Sequence, residues 1–455
     1  MARFSESINF HFSISERKIF LFLIDHIIGV AGIYLYYFLI GKEIDTQFYI
    51  TTGIFLGLSS LLNAVFKTYD LKIASSIDRL DLILFVSILV YTVLFLSSSI
   101  VPRVPQNDLK AIFLVLSLPL LVTSWRLFYI KVIHQPVLHT NAMILGESEC
   151  IDFLKETFDF DSHGYKILHE EIYDDNKEIE DFRTILDNLK ASRLNIVILA
   201  YNEYKNMPNY VSRITEYCSV IGIEVYGYLR FYESVNLAIP IRRLGNNLYR
   251  FFPFTRTNYN LVYKGTHRLI DIFSALFGLL FLLIVLPFIA ILNIFFNPGP
   301  LFFEQLRVGK GGEEIPILKL RSMVVDAEKK SGAIMATKND ARVTPFGKIL
   351  RKFRFDELPQ FWTVLKGDMS LIGPRPERKV FVEQLKKEMP VYDLRHMIKP
   401  GITGWAQVKY KYGENLEDSY RKLEYDLYYI KYRSLFLDIR IILDTVNTVI
   451  FSKGQ

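Results

Sequence analysis

Long runs of apolar residues constrain this 455-residue chain more than any other feature of its sequence. Four such runs lie in the first 135 residues, at about Lys18–Ile40, Phe48–Phe66, Leu82–Val101 and Ala111–Ile133. Each is long enough to cross the hydrocarbon core of a bilayer as a helix. Hydrophobic residues make up 51% of the chain and aromatic residues 15%, which is typical of a membrane protein. We therefore predict a four-helix transmembrane bundle over residues 1–135.

The basic residues between the runs predict which way the bundle faces. Arg17 and Lys18 precede the first run, Lys42 is the single basic residue between the first two, and Lys67 and Lys72 follow the second. This alternation favours a cytoplasmic N-terminus, and four crossings then return the chain to the cytoplasm. The first run lacks a small-residue cleavage site, so we interpret it as a retained anchor.

A fifth apolar run, Leu269–Phe296, poses a different problem. A fifth crossing would place every later residue outside the cell. Pro287 lies inside the run, where it removes a helix hydrogen bond and bends the axis. Basic residues stand on both sides of the run. We predict a re-entrant helix at about 268–296, kinked at Pro287, that enters and leaves on the cytoplasmic face; an ordinary spanning helix remains the alternative.

Charge and cysteine content exclude several classes of protein. The net charge is +6, and the basic residues are mixed with acidic ones or border apolar runs. No nucleic-acid partner is therefore expected, whereas anionic lipids and phosphate ligands fit this balance. Only Cys150 and Cys218 are present, far apart and outside any C-x-x-C motif, so neither a disulfide scaffold nor a zinc site is indicated.

The middle of the chain alternates short apolar runs with polar helical stretches, which predicts a Rossmann-like α/β domain at residues 140–255. Strands are expected at Ala142–Gly146, Lys166–Leu168, Asn195–Ala200 and Ile223–Gly227, and one helix at Glu178–Lys190. The first strand-to-helix turn reads Gly-Glu-Ser-Glu. It lacks the further glycines of a dinucleotide site, and its glutamates would repel phosphate. We expect a degenerate nucleotide site.

The last third, residues 264–455, carries the residues suited to chemistry. Two strand-like segments flank the glycines near Gly309, and we favour a hairpin turn over a phosphate loop there because no helix follows. Lys319 and Arg321 alternate along the second segment and would share one face. Either they contact phosphate or that face is simply solvated.

Adjacent carboxylates stand out in the segment Arg351-Lys352-Phe353-Arg354-Phe355-Asp356-Glu357. Asp356 and Glu357 repel each other and tolerate one partly dry site only with a cation nearby. Pro359 would lie in the first turn of the next helix, which leaves Asp356 near its N-cap, and simple capping is the alternative role. Arg375, held between Pro374 and Pro376, is stiffened for anion binding.

These motifs resemble those of the polyprenol-phosphate hexose-1-phosphate transferases, the monotopic phosphoglycosyl transferases, in their long form. The resemblance covers the whole chain and is most specific from Lys264 onward. The motifs that carry it are Lys319-Leu320-Arg321-Ser322-Met323, Asp356-Glu357-Leu358-Pro359-Gln360, Gly373-Pro374-Arg375-Pro376 and Pro400-Gly401-Ile402-Thr403-Gly404-Trp405.

The resemblance implies a multidomain membrane protein with a small mixed α/β catalytic domain. Asp356 would be the nucleophile that attacks a UDP-sugar and releases UMP, and undecaprenyl phosphate would then accept the sugar phosphate. Glu357, with Asp356, would bind Mg²⁺. Lys319, Arg321, Arg351 and Arg375 would contact the substrate. The family also places the enzyme in the bacterial inner membrane, with its catalytic domain on the cytoplasmic face.

The C-terminal stretch Ser434–Phe451 has helical apolar spacing and follows a tyrosine-rich segment. It is interpreted either as an amphipathic interfacial helix among membrane lipids or as a helix packed on the catalytic core. Two other functions remain open: a membrane-anchored nucleotide-sugar dehydratase or epimerase, and a non-catalytic scaffold for polysaccharide export. A homo-oligomer is neither indicated nor excluded.

Overall fold

The computed structural model describes residues 14–39, 41, 43–69, 74, 80–97, 109–134, 140–161, 164–172, 194–201, 209–244, 261–325, 327, 340–410 and 415–450. The predicted helix at Glu178–Lys190 lies outside these residues, as do the expected domain limits at 135, 255 and 455. The chain divides into two compact units, Met1–Phe231 and Tyr232–Gln455.

Four long helices begin the first unit. They are α1 (Ile14–Leu39), α2 (Thr46–Phe66), α3 (Leu80–Ser97) and α4 (Leu109–Phe128). Each packs against the next one in the chain, and α1 also packs against α4. Within the described ranges, three helices are long and apolar enough to cross a membrane: α1, α2 and a later helix at Leu261–Phe296. For α3, whose apolar part is shorter, and for α4, a membrane crossing stays a prediction.

A buried ion pair joins the first and last of these four helices. Arg126 of α4 donates to Asp25 Oδ2 of α1 through Nη2 at 2.7 Å and through Nε at 3.2 Å. The Asp25 side chain is 7% exposed and that of Arg126 is fully buried. A lone charge in an apolar helix bundle is costly, so each member of this pair makes the other tolerable.

The α/β part of the first unit is a four-stranded parallel sheet in the order β2-β1-β3-β4. Its strands are β1 (Thr140–Gly146), β2 (Tyr165–Ile172), β3 (Ile196–Ala200) and β4 (Glu224–Gly227), with α5 (Ser148–Thr157) after β1 and α6 (Asn209–Val220) before β4. The inner strands β1 and β3 are buried almost throughout, which explains their continuous apolar sequence. This strand order is that of a doubly wound sheet, and the four predicted strands are confirmed.

Gly146, at the end of β1, has a packing role. A side-chain carbon at this position would lie 2.0 Å from the carbonyl oxygen of Ala200 on the neighbouring strand β3. Glu147 follows as the N-cap residue of α5, without a capping bond from its side chain. The glycine is therefore explained without a nucleotide, and the degenerate site stays a prediction.

The second unit begins within α7 and contains all the later elements. In chain order they are α7 (Tyr228–Asn236), α8 (Ile241–Leu244), α9 (Leu261–Phe296), β5 (Phe302–Val308), β6 (Glu314–Leu320), α10 (Pro345–Lys352), α11 (Gln360–Lys366), β7 (Ser370–Ile372), α12 (Lys379–Glu388), β8 (Gly401–Thr403), α13 (Trp405–Lys409), α14 (Leu416–Tyr432) and α15 (Leu435–Ile450). Strands β5 and β6 form the expected antiparallel hairpin, and β7 pairs with β8 in parallel. The unit is thus a mixed α/β fold with small sheets.

The segment Tyr232–Leu244 packs with the second unit, although the sequence assigned it to the α/β domain. Lys431 Nζ donates to Glu233 Oε1 at 2.7 Å, and both side chains are buried. Trp405 Nε1 donates to the Leu237 carbonyl oxygen at 2.9 Å. The boundary between the compact units therefore lies before this segment, and the predicted domain limit at 255 stays a prediction. These partners are distant in sequence, and composition alone does not reveal such contacts.

Helix α9 begins at Leu261, earlier than the predicted start near 268, and continues through Pro287 to Phe296. Its first turn extends beyond the apolar run because Tyr263 donates to Asp438 Oδ2 of α15 at 2.8 Å. One face packs on the second unit, where Ala275 and Ile289 are buried in two apolar clusters. The opposite face is exposed and apolar; its strongly exposed members include Phe273, Phe277, Leu283, Phe288, Ile294 and Phe295.

Candidate active site

The hairpin β5–β6 presents Lys319 to the site. Its register pairs Lys319 with Phe303, next to the end of β6 at Leu320. The buried residues Ile317 and Leu320 pack into apolar clusters with α9, which holds the strand in place. Burial lowers the pKa of the Lys319 ammonium, while the nearby Glu357 carboxylate opposes this shift. Lys319 therefore lies within electrostatic reach of both acidic residues of the motif.

The two carboxylates lie in a strained turn between α10 and α11. Helix α10 ends at Lys352, and Arg354 then adopts the left-handed conformation, with φ 59° and ψ 19°. Such a conformation is uncommon for a non-glycine residue and is often found at functional sites. A short 3₁₀ turn, Phe355–Glu357, follows before α11 begins. Asp356 thus lies in its own turn close to the start of α11, as expected, but Pro359 is the N-cap residue, so the alternative role of Asp356 as a simple cap is not borne out.

Asp356 and Glu357 have different partners. Asp356 is 8% exposed, and its Oδ1 atom has no hydrogen-bond partner among the residues that the structure describes. Glu357 Oε1 accepts from Arg375 Nη2 at 2.9 Å, and Glu357 Oε2 lies 3.6 Å from Arg354 Nη1. One carboxylate is therefore held by cations, and the other has a buried oxygen available for a ligand.

The surroundings shift the pKa values of the two carboxyl groups in opposite directions. Burial and the adjacent negative charge of Glu357 raise the pKa of Asp356, against the pull of Lys319 and Arg351. Burial also disfavours ionisation of Glu357, but Arg375 and Lys319 outweigh it and hold the pKa of Glu357 at about 2. The surroundings therefore favour the ionised form of Glu357 and disfavour that of Asp356.

Arg375 reaches the pair from a loop that follows β7. The backbone N–H of Gly373 donates to the Thr403 carbonyl at 2.9 Å, and that of Gly401 donates to the Pro374 carbonyl at 2.9 Å. These bonds extend the pairing of β7 with β8 into the loop. Arg375 contacts Glu357, and the predicted contact of Arg375 with the substrate stays a prediction.

Arg351 is positioned by the last turn of α10. Its Nε donates to Ser322 Oγ at 2.9 Å, and its positive charge acts on Asp356. The helix sits very close to the chain at Ser322, because a side-chain carbon at Gly347 would lie 1.9 Å from the Ser322 carbonyl oxygen. Glycine at position 347 is what permits this approach.

Arg321 differs from the other predicted substrate contacts. Strand β6 ends at Leu320, so Arg321 does not continue the strand face of Lys319 as the alternation predicted. Its guanidinium donates to the carbonyl oxygens of Pro300 at 2.6 Å and Met323 at 3.0 Å, and to Asn297. The structure thus brings Lys319, Arg351 and Arg375 to the carboxylates and holds Arg321 against the turn after α9.

Sequence reasoning missed two further arginines of the site. Arg354 lies 3.6 Å from Glu357, and its left-handed backbone aims it there. Arg395 Nη2 donates to the Arg375 carbonyl oxygen at 3.0 Å and lies 2.8 Å from Asp426 Oδ2. Arg354 was visible in the motif as one of its cations, whereas no local signal marked Arg395.

The carboxylate pair fits a magnesium ion that is shared with a phosphate. Mg²⁺ prefers oxygen ligands and commonly takes one or two carboxylates together with substrate phosphate oxygens and water. The buried, unpartnered Asp356 Oδ1 is one such oxygen. No group of three or more His, Cys, Asp or Glu side chains among the described residues could hold a metal ion by itself. Phosphate oxygens would have to complete the coordination.

Comparisons with known proteins identify a family for the segment that contains these residues. Residues 262–452 match the family model described as bacterial sugar transferase. The chain is 41% identical over 238 residues to a UDP-N-acetylgalactosamine-undecaprenyl-phosphate N-acetylgalactosaminephosphotransferase of Aeromonas hydrophila, covering 52% of this chain and 55% of the relative. It is 44% identical over 200 residues to a UDP-glucose:undecaprenyl-phosphate glucose-1-phosphate transferase of Xanthomonas campestris pv. campestris, covering 44% of this chain and 41% of the relative.

The matched segment thus spans about half the length of these two relatives. A shorter relative is matched almost completely. The exopolysaccharide production protein PSS of Rhizobium leguminosarum bv. phaseoli is 40% identical over 187 residues, which is 39% of this chain and 92% of that protein. The matched segment contains the acidic pair and every cation around it. This chain therefore belongs to the bacterial sugar transferase family.

Proposed function

We propose that this protein transfers a sugar 1-phosphate from a UDP-sugar to undecaprenyl phosphate, through a covalent intermediate on Asp356. The observation that carries the proposal is the buried Asp356 Oδ1 atom, which lacks a partner among the described residues while Lys319 and Arg351 act on its carboxylate. A carboxylate of this kind suits nucleophilic attack on a phosphoryl group. The names of the relatives supply the substrate classes.

In the first step, an Asp356 carboxylate oxygen attacks the phosphorus atom next to the sugar. The bond from that phosphorus to the bridging oxygen breaks, UMP leaves with the bonding electrons, and an aspartyl phosphosugar remains. In the second step, an oxygen of undecaprenyl phosphate attacks the same phosphorus. The acyl phosphate bond breaks, Asp356 recovers its carboxylate, and the product is a sugar diphosphate lipid.

Cations of this chain would stabilise both steps. Lys319, Arg351 and Arg375 surround the position of the reacting phosphate and offset its developing negative charge. Glu357, already ionised, would hold Mg²⁺ together with Asp356. When bound, that ion supplies further positive charge to the phosphate oxygens. The chain's own arginines fix Glu357 in place before any ligand arrives.

Helix α9 supports a site at the membrane surface. Polar bonds tie both ends of α9 to the rest of the second unit. Near its start, Arg268 Nη1 donates to the Val364 carbonyl oxygen at 2.8 Å and Asp271 Oδ1 accepts from Ser370 Oγ at 2.8 Å; just past its end, Asn297 Nδ2 donates to the Arg321 carbonyl at 3.0 Å. Between these bonds, its Phe281 ring approaches that of Phe355, and Ile289 packs beside Leu320.

A spanning helix needs about 20 residues free to cross a hydrocarbon layer of about 30 Å. The longest stretch of α9 between neighbouring contacts named above is much shorter than about 20 residues, so a hydrocarbon layer does not fit between them. A helix bound to the catalytic unit at both ends and in its middle favours re-entry from one face. That face would be the cytoplasmic side of the bacterial inner membrane, where UDP-sugars are made and lipid phosphates are accessible.

An intact-mass experiment tests the covalent step. The full-length protein in detergent, given Mg²⁺ and a UDP-sugar but no lipid acceptor, should gain the mass of one sugar phosphate and release UMP. A panel of UDP-sugars identifies the sugar. Asp356→Asn should abolish both signals, because an amide is a poor nucleophile. The matched control is Glu383→Gln, which neutralises an exposed carboxylate on α12 and should behave as wild type.

Two different outcomes would contradict different parts of the proposal. Undiminished turnover by Asp356→Asn would refute the nucleophile assignment. An absence of UMP release with every UDP-sugar, even after addition of undecaprenyl phosphate, would refute the proposed reaction as a whole.

A further inference from the structure

A second group of cations lies away from Asp356, around Gly367 at the end of α11. Gly367 has φ 101°, a left-handed conformation that ends the helix and requires glycine. A side-chain carbon at this glycine would lie 3.5 Å from Arg268 Nη2 and 3.6 Å from Lys399 Nζ. Two cationic groups therefore converge on the space that the missing side chain leaves open.

Arg268 is fixed in this position. Its Nη1 donates to the Val364 carbonyl oxygen at 2.8 Å and its Nη2 to the Leu365 carbonyl oxygen at 2.7 Å. These are carbonyl groups of the last turn of α11, which carry partial negative charge and favour a cation there. The guanidinium is thus preorganised beside Gly367, with further N–H donors available.

Lys399 has no such compensation. Among the residues that the structure describes, no carboxylate lies within ion-pair distance of Lys399 or Arg268. Burial lowers the pKa of Lys399, and the positive charges of Arg268 and Lys310 lower it further, while the negative charges of Asp271 and Asp368 oppose the shift. Asp271 is already occupied by Ser370 and Leu371. The positive charge of this cluster is what an anion-binding site requires.

This cluster is separate from the candidate active site. Gly367 precedes β7 and Arg375 follows it, so the two groups of cations lie beyond opposite ends of that strand. The cluster instead adjoins the exposed face of α9, where Leu269, Phe273 and Leu276 follow Arg268 and are 55%, 69% and 52% exposed. Cations next to an exposed apolar helix face form the combination that a phospholipid matches, with its headgroup phosphate and its acyl chains.

We propose that Arg268, Lys399 and Lys310 form a second anion site that binds the headgroup phosphate of an anionic membrane lipid. The guanidinium and the Lys399 ammonium bind phosphate oxygens above Gly367, and Lys310, at the exposed tip of the β5–β6 hairpin, adds its charge. The acyl chains lie along α9. The site thereby ties the entry of α9 to the lipid surface.

Native mass spectrometry of the full-length protein tests this site directly. Protein purified in detergent is mixed with phosphatidylglycerol or with phosphatidylcholine, and the lipid retained per protein is counted. We expect wild type to retain phosphatidylglycerol preferentially. The double variant Lys310→Gln/Lys399→Gln should lose about fivefold in retention per lysine removed. The control Lys387→Gln, at an exposed lysine on α12, should retain as much as wild type.

Further arms identify the source of the phosphate. If millimolar inorganic phosphate occupies the site and no lipid is retained, the lipid assignment is overturned and the site binds soluble phosphate. Loss of undecaprenyl phosphate from the double variant, with phosphatidylglycerol retained as in wild type, would likewise replace the lipid class. Equal retention of lipid by wild type, the double variant and the control, with unchanged thermal stability, would remove the site altogether. Because the readout is lipid mass, it is independent of whether Asp356 forms an adduct.

Discussion

Lys319 and Arg321 lie in one short motif, yet the structure gives them different surroundings. Lys319 belongs to β6 and acts electrostatically on Asp356 and Glu357. Arg321 follows the strand, is 8% exposed, and donates to carbonyl oxygens of the turn after α9. A cation near acidic groups can serve catalysis, whereas a cation whose donors are all occupied by carbonyls serves the fold.

Paired substitutions separate these roles. Lys319→Met should lower kcat/KM by about 10²- to 10³-fold, because it removes positive charge from the reacting phosphate. Its melting temperature should stay near that of wild type or rise, since methionine fills the space without a buried charge. Arg321→Met should lower the melting temperature by roughly 10 °C, because several carbonyl oxygens lose their donors. Thermal unfolding and initial rates of UMP release are measured on the same preparations. If Arg321→Met keeps its stability and loses only activity, this assignment is wrong.

At the residue scale, the sequence predicted what charge and spacing can show. Neighbouring carboxylates and an arginine between prolines pointed to Asp356, Glu357 and Arg375, and the structure brings these three together. The role of Arg321 was not readable, because the end of β6 is set by tertiary contacts and not by alternation. The left-handed backbone of Arg354 leaves no signal in the sequence either, since only the fold makes that strain tolerable.

At the element scale, a buried arginine holds the loop after β7. Arg395 lies in the 3₁₀ turn Tyr392–Met397, and its side chain is 6% exposed. It binds Asp426 of α14 and donates to the Arg375 carbonyl oxygen, so it links α14 to the residue that holds Glu357. Removing one member of a buried, hydrogen-bonded ion pair leaves the other uncompensated.

We expect Arg395 to act on catalysis through Arg375. Arg395→Lys keeps a positive charge near Asp426 but loses the geometry of the bond to Arg375. It should lower kcat about 10-fold or more, with a smaller change in KM, because small displacements of a phosphate-binding group are costly. In a double-mutant cycle with Arg375→Lys, the combined loss should be little larger than that of Arg375→Lys alone.

The control is Arg421→Lys, which alters a different ion pair, Arg421–Glu424, within α14. It should leave kcat unchanged. Additive losses in the cycle, or a fall in stability with unchanged kcat for Arg395→Lys, would show that Arg395 supports the fold without positioning Arg375.

Elements with a strong local signal were predicted well, and those set by distant contacts were not. The parallel strands of the first unit and the β5–β6 hairpin follow from their apolar runs and glycines, and both are confirmed. The start of α9 was missed because its first turn is held by Asp438, far along the chain. The contact between Asp25 and Arg126 likewise joins residues far apart in the chain, and no local pattern marks it.

At the scale of the whole molecule, the course of α9 decides whether the catalytic unit can reach both a soluble nucleotide and a membrane lipid. The helix has 36 residues and would be about 54 Å long if straight, more than enough to cross a bilayer. Length alone therefore favours crossing, whereas the polar contacts from Tyr263 to the residues just after Phe296 favour re-entry.

Site-directed labelling distinguishes the two. Single cysteines replace Gly265, before the apolar part of α9, and Glu313, in the hairpin after it; both positions are exposed. The native Cys150 and Cys218 are buried and should react slowly. With a membrane-impermeant maleimide, re-entry predicts that both new cysteines are labelled in inverted membrane vesicles and protected in intact cells. A spanning helix predicts labelling from opposite sides, which would refute the proposed topology.

The same assay shows what holds the helix in place. Pro287→Ala restores a backbone hydrogen bond and removes the main cause of a bend. We nevertheless expect same-side labelling to persist in Pro287→Ala, because the bonds of Arg268, Asp271 and Asn297 anchor α9 on both sides of the proline. If Pro287→Ala instead moved Gly265→Cys and Glu313→Cys to opposite sides, the proline would be the determinant of re-entry. The contacts would then be a consequence of the topology and not its cause.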